Sequence, residues 1–136
     1  PLLTTADECL WQATILGEPA SKANSRRMKY KTSKKGASYK RPIKSEKALN
    51  YVTYAMAQLA MYRPKEPIGE DIAILCHIWY ADRRSDLDES LILDVLQQAR
   101  IIENDRAIRT KYIFGHVDKH RPRATIALYR WEGERR

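Results

Sequence analysis

The chain has 136 residues, with 25 Lys+Arg against 17 Asp+Glu, a formal charge of +8. Hydrophobic residues make up 43% and charged residues 31%, the proportions of a folded globular domain, which excludes a disordered chain and a disulfide-dense scaffold. No apolar run approaches the ~20 residues of a spanning helix, and the longest, residues 72–81, is interrupted by His77. The opening PLLTTADECL carries acids where a signal peptide carries base, which predicts a cytoplasmic protein with no membrane association. In that compartment Cys9 and Cys76 read as buried, reduced thiols. Cys and His at ligand spacing are too few for a structural zinc site.

In chain order, CLWQATIL (Cys9–Leu16) predicts a first strand, ended by Gly17 and Pro19. Residues 20–44 then form a long basic loop in which MKYKT alternates and is read as partly strand. Ser45 is a candidate N-cap for a helix reaching about Met61, with Leu49, Val52, Met56 and Leu59 as its buried stripe. Pro64 and Pro67 bound the loop that follows. IAILCHIWY (Ile72–Tyr80) is nearly continuous in apolar character and predicts a central strand buried on both faces. A second helix covers residues 89–100, with Leu91, Leu96 and Ala99 turned inward. Two strands over residues 111–117 and 124–131 are joined by DKHRPR and read as a hairpin. The whole predicts a single α+β domain over residues 1–136, with a small mixed sheet of about four strands and two main helices.

Charge is distributed unevenly along this framework. From Lys22 to Lys47 the chain carries Lys22, Arg26, Arg27, Lys29, Lys34 and Lys35 among eleven cations, and Glu46 is the sole acid. A solvated face mixes both signs, so a one-sign block of this length points to a polyanionic partner such as nucleic acid. Residues 82–105 reverse the sign. There, in ADRRSDLDES, Asp86 and Asp88 stand two apart, and extended backbone would project both carboxylates to one side. Like charges so placed accept a hard divalent cation between them, Mg²⁺ or in its place Mn²⁺. Asp105 lies beyond the second helix and joins them only if the chain folds back. The competing reading is structural, because Ser85-x-x-Asp88 and Asp86-x-x-Glu89 both have the pattern of a helix-capping box.

The segments PASKANSRR, RRSDLDESLILDVLQ and IIENDRAIR, in that order, resemble the RusA-like Holliday junction resolvases of bacteria and phages. That resemblance spans about residues 16–131 and implies a homodimeric, Mg²⁺-dependent endodeoxyribonuclease that resolves four-way DNA in recombination and repair. It places Asp86 and Asp88 in the family's paired acidic positions and Asp105 as its third acid, so these three would be catalytic and bind metal. Residues 19–24 match the family's early proline–serine–asparagine element, which adds Asn24 to Lys22, Arg26, Arg27, Lys29, Lys34, Lys35 and Arg84 as DNA contacts. Three departures stand out. Glu89 replaces an asparagine and becomes either a further metal ligand or a cap. Ile92 replaces the family's helix lysine, and the interval to Asp105 is short. The missing cation's role passes to Lys22, Arg84 or Lys111, with Lys111 favoured as a catalytic residue.

His77 reads as a packed core histidine, and His116 and His120 fall near the expected hairpin, so no side chain is assigned as a separate general base. A C2 dimer follows from the paired cuts that resolution requires, and Ile126, Leu128 and Trp131 offer one surface for it. Two other classes fit the same composition: a non-catalytic nucleic-acid-binding module and a basic phage assembly protein.

Overall fold

Gly17, with φ +110°, turns the chain sharply at the end of β1 (Cys9–Leu16), and its N–H donates to the carbonyl of Pro122 at 3.0 Å. In this computed structural model the described residues are 9–20, 26–32 and 38–133. The basic stretch folds as a two-stranded antiparallel ribbon, β2 (Arg26–Thr32) and β3 (Ser38–Lys44), rather than a loop with a single strand fragment. α1 (Glu46–Leu59) follows, then a 3₁₀ turn (Ala60–Tyr62), β4 (Ile72–Tyr80), α2 (Ser90–Gln98), a second 3₁₀ turn (Asp105–Ala107), β5 (Ile108–Val117) and β6 (Arg123–Arg130). The fold is α+β, with a four-stranded mixed sheet in the order β1-β6-β4-β5 and two helices.

Ser45 caps α1 as its position predicts, accepting from the Ala48 N–H at 3.2 Å. The buried stripe, however, is Ala48, Tyr51, Val52, Ala55 and Leu59, while Leu49 is 48% exposed. Small alanines let the helix approach its neighbours closely, and a reading weighted toward large apolar residues misplaces the inner face by one residue. Gln58 ties this helix to the end of β1, its Oε1 accepting from the Leu16 N–H at 2.8 Å and its Nε2 donating to the Leu16 carbonyl at 3.0 Å.

β5 and β6 are not a hairpin. β4 lies between them, parallel to β5 and antiparallel to β6, so residues 118–122 cross the end of β4, where the Asp118 N–H donates to the Tyr80 carbonyl at 2.8 Å. The β4–α2–β5 unit is a parallel crossover, whose long connection is usually a helix, as here. Nor is β4 covered on both faces. Ile72, Ile74, Cys76, Ile78 and Tyr80 are buried with α1 and α2, whereas Leu75, His77 and Trp79 are only half-buried. The uncovered face carries apolar and aromatic residues too, which hides the alternation in the sequence. His77 is therefore a residue of the open face, not of the core. Cys76 is buried as expected, but Cys9 is exposed at the start of the edge strand β1. Ile126 and Leu128 are core residues at 2% and 0% exposure, so neither belongs to a dimer surface. No helix among the described residues is long and apolar enough to cross a membrane.

Candidate functional site: the β4–α2 junction

The acids of residues 82–89 lie beyond the C-terminal end of β4, beside its parallel partner β5. A turn at Arg83–Arg84 breaks the strand before Asp86, so the junction is a loop rather than continued β-structure. Asp82 folds back on that turn: its carboxylate accepts from the Arg84 N–H at 2.8 Å and from the guanidinium at 3.1 Å. The backbone bond, helped by the guanidinium, holds the Asp82 carboxyl below the usual carboxylate range. Arg84 is thus paired, with its side chain 91% exposed. Leu87 anchors the loop by lying over Gly115 of β5, where an added Cβ would come within 3.2 Å of it. A shallow hollow of ≈ 160 Å³ opens beside it, lined in part by Tyr80, Asp82, Ser85 and His116.

Asp88 is the best-fixed acid of the junction. Its Oδ1 accepts from both the N–H of Ser90, at 3.0 Å, and the Ser90 hydroxyl, at 2.7 Å. That is the bond of a helix-capping carboxylate, set one residue ahead of the Glu89 N-cap position. Its Oδ2 is buried and, among the described residues, has no hydrogen-bond partner. Its N–H donates to the Tyr80 hydroxyl at 3.1 Å, and burial keeps that phenol protonated above its ordinary range. Asp86 is exposed. Glu89 contributes no side-chain cap; its Oε1 instead meets the Lys111 Nζ at 3.3 Å. Cys76, beneath the junction, is pushed up to about 12 by burial and then by the charge of Glu89, so its thiol is no nucleophile at neutral pH.

Asp105 stands in the 3₁₀ turn past the other end of α2, exposed, its N–H bonded to Gln97 Oε1 at 3.0 Å. Among the described residues no three His, Cys, Asp or Glu side chains converge to hold a metal ion. Asp86, Asp88 and Glu89 are neighbours on the loop, Lys111 of β5 meets Glu89 alone among them, and Asp105 lies past the other end of α2. Ile92 is fully buried in α2, so the position that would carry the family lysine is part of the core. Arg26, Arg27 and Lys29 lie along β2; Lys22, Asn24, Lys34 and Lys35 fall outside the described residues. In the ribbon register Arg26 pairs with Lys44 and Lys29 with Arg41.

The sequence reading missed Tyr80, Ser90 and Gln97, which fix Asp88 and Asp105. Tyr80 is read naturally as the end of an apolar strand, and its position eight residues before Asp88 gives no local sign of their contact. No family model matches this chain, and no curated protein matches it.

Proposed function

We propose that the protein is a divalent-metal-dependent endonuclease acting on branched DNA, a homodimer of the RusA-like kind. The observation that carries the reading is the Asp88 carboxylate, with one oxygen locked by Ser90 and the other buried without a donor among the described residues. A buried acceptor left unpaired costs about 1–3 kcal/mol, more if charged, and a cation ligand would remove that cost. The donor set fits Mg²⁺ or Mn²⁺: hard carboxylate oxygens from Asp88 and Asp86, since Mg²⁺ is usually held by one or two carboxylates and keeps several waters. When bound, such an ion supplies Lewis-acid polarisation of the phosphoryl group and acidifies water.

The chain's own residues do the rest. Ser90 and Tyr80 orient Asp88 before any ligand arrives. Lys111, tethered to Glu89, brings positive charge to the same end of α2 and is the candidate to offset charge on the phosphate, the task left open by Ile92. The β2–β3 ribbon, whose strands carry lysines and arginines and no acid, is the candidate contact for the phosphates of a duplex arm. A labelled four-way junction and a linear duplex, each with and without Mg²⁺, test this: the reading expects Mg²⁺-dependent cleavage of the junction in preference to the duplex. Binding without cleavage would favour a non-catalytic nucleic-acid-binding module, a reading that the separation of Asp105 from Asp88 supports.

A further inference from the structure

His77 and His116, which the sequence leaves without a role, meet on the open face of the sheet. His77 stands on β4 opposite Phe114, and His116 stands on β5 opposite Trp79. His77 Nδ1 and His116 Nε2 lie 2.8 Å apart, while the ring centroids are 5.0 Å apart with the planes 20° from parallel. That centroid separation equals the nitrogen–nitrogen distance plus one ring radius at each end, so both nitrogens lie on the line between the rings. The imidazoles therefore meet edge to edge, in nearly one plane, as a linear N–H···N bond requires. A metal ion between them would need two lone pairs converging on it from about 2.0–2.1 Å each, and this gap is too short for that. What fits the gap is a proton.

Neighbours fix the pair in place. Trp79 lies against His116 with centroids 4.7 Å apart, and Phe114 against His77 at 5.0 Å. Arg123 of β6 sits 4.1 Å over the Trp79 ring and is neutralised by Asp118 at 2.9 Å. Burial, then His116, holds His77 below its ordinary value, which favours a neutral ring at neutral pH. With both rings neutral, the bridging proton decides what His116 offers elsewhere. If Nε2 of His116 carries that proton, its Nδ1 is a bare acceptor; if His77 Nδ1 carries it, His116 Nδ1 is a donor.

The two rings also open on different spaces. His116 lines the hollow of ≈ 160 Å³ beside the acidic loop, together with Tyr80, Ser85, Arg83 and Asp82, the last of these bonded to Arg84. His77 lines a second hollow, of ≈ 430 Å³, on the open face with Gln12, Thr14 and Thr125. A proton accepted at one end of the pair can thus leave at the other.

We propose that His116 is the general base of hydrolysis at the junction and that His77 is its positioning residue, the two forming a relay from the loop hollow to the open face. The relay rests on the proposed function and adds to it a proton acceptor. The attacking water loses a proton to His116 Nδ1 as its oxygen bonds to phosphorus and the P–O3′ bond breaks. The bridging proton moves to His77 Nδ1, His77 Nε2 releases a proton to solvent, and the 3′ oxygen takes one from water.

Nitrogen-15 NMR of the full chain, paired with single-turnover cleavage of a labelled four-way junction in Mg²⁺, tests the proposal. The wild-type spectra should show coupling across the Nδ1–Nε2 bridge, with the two histidines titrating as a coupled pair; this arm depends on no variant folding. His116→Ala should cut at least about 100-fold more slowly, with junction affinity unchanged and the inflection of the pH–rate profile lost. His77→Phe should slow cleavage about tenfold or more. His77→Asn, whose amide stands in for Nδ1 in the bridge, should recover most of that loss. Two histidines that titrate independently overturn the relay, and His116→Ala cutting at the wild-type rate overturns its role as base. A wild type that cuts no DNA is probed with a thymidine dinucleotide. If the dinucleotide shifts the His116 nitrogen signals, the hollow and its relay stand and the nuclease reading falls; if it does not, both fall.

Discussion

The acidic junction and the basic ribbon treat their charges in opposite ways. At the junction the protein supplies partners to three of its carboxylates, Asp82 by the turn at Arg84, Glu89 by Lys111, and Asp88 Oδ1 by Ser90, leaving the exposed Asp86 and, among the described residues, the buried Asp88 Oδ2. In the ribbon, the register pairs Arg26 with Lys44 and Lys29 with Arg41, and neither strand contains an acid. On the proposed function, the junction would take a small, hard ligand and the ribbon a large polyanion.

The largest expected effect lies at the helix position where the resemblance places a lysine. Because Ile92 is fully buried, Ile92→Lys puts an ammonium into the core and should destabilise the fold by about 3 kcal/mol or more, read by urea denaturation. Unchanged stability would mean that α2 is rotated from the packing described here and that a lysine there can reach the junction. Next in size are the two ribbon tests. Neutralising Arg26, Arg27 and Lys29 together should lower the slope of log K against log salt by roughly 0.9 for each true phosphate contact, with affinity falling evenly across sequences. Lys29→Glu separates the two regions further. It sets an acid opposite Arg41, so the ribbon should gain about 0.2–1 kcal/mol while duplex binding weakens. Tighter binding by this variant would remove the ribbon from the DNA interface.

How much of this was legible in sequence depends on whether the cause was local. Ser45 as a cap, Gly17 as a terminator and the run of β4 follow from neighbours in the chain, and the structure agrees at each. The order β6-β4-β5 was not legible, because DKHRPR has turn composition whether it closes a hairpin or crosses a strand end. The open face of β4 was masked by its own aromatics, and α1 was misphased by alanines that bury as well as leucine does when a helix packs closely. At the site, Asp86 and Asp88 were visible as a pair. Asp88's division into a capping oxygen and an unpaired one depends on Ser90 and on burial, which spacing alone does not show.

A smaller effect concerns pH. Burial, then the neighbouring His116, holds His77 below its ordinary value of 6.5. The unfolded chain therefore takes up this proton first, and stability should fall as pH drops below about 6.5, with no contribution above it. Asp118 is held below its ordinary 3.8, first by Arg123 and then by the His120 N–H. Its share of stability is present above that value and lost as pH falls further. Thermal melts of wild type and His77→Asn between pH 7.5 and 4.5 check the first component, and identical profiles would remove it. The smallest effect serves as a control on both regions. Arg100 ends α2 at φ +63°, where glycine carries no Cβ penalty. Arg100→Gly should stabilise by about 0.5–1 kcal/mol and leave salt slope and cleavage untouched.

Asp88→Asn tests the central claim most directly. Asparagine keeps an Oδ1 acceptor for Ser90, so the cap and the fold survive, while the charge and the unpaired carboxylate oxygen are lost. Single-turnover incubation with a labelled four-way junction in Mg²⁺ should show cleavage by the wild type and none by Asp88→Asn, with junction binding equal or tighter. Cleavage by Asp88→Asn at the wild-type rate would contradict the account, and Asp88 would then be a helix cap alone.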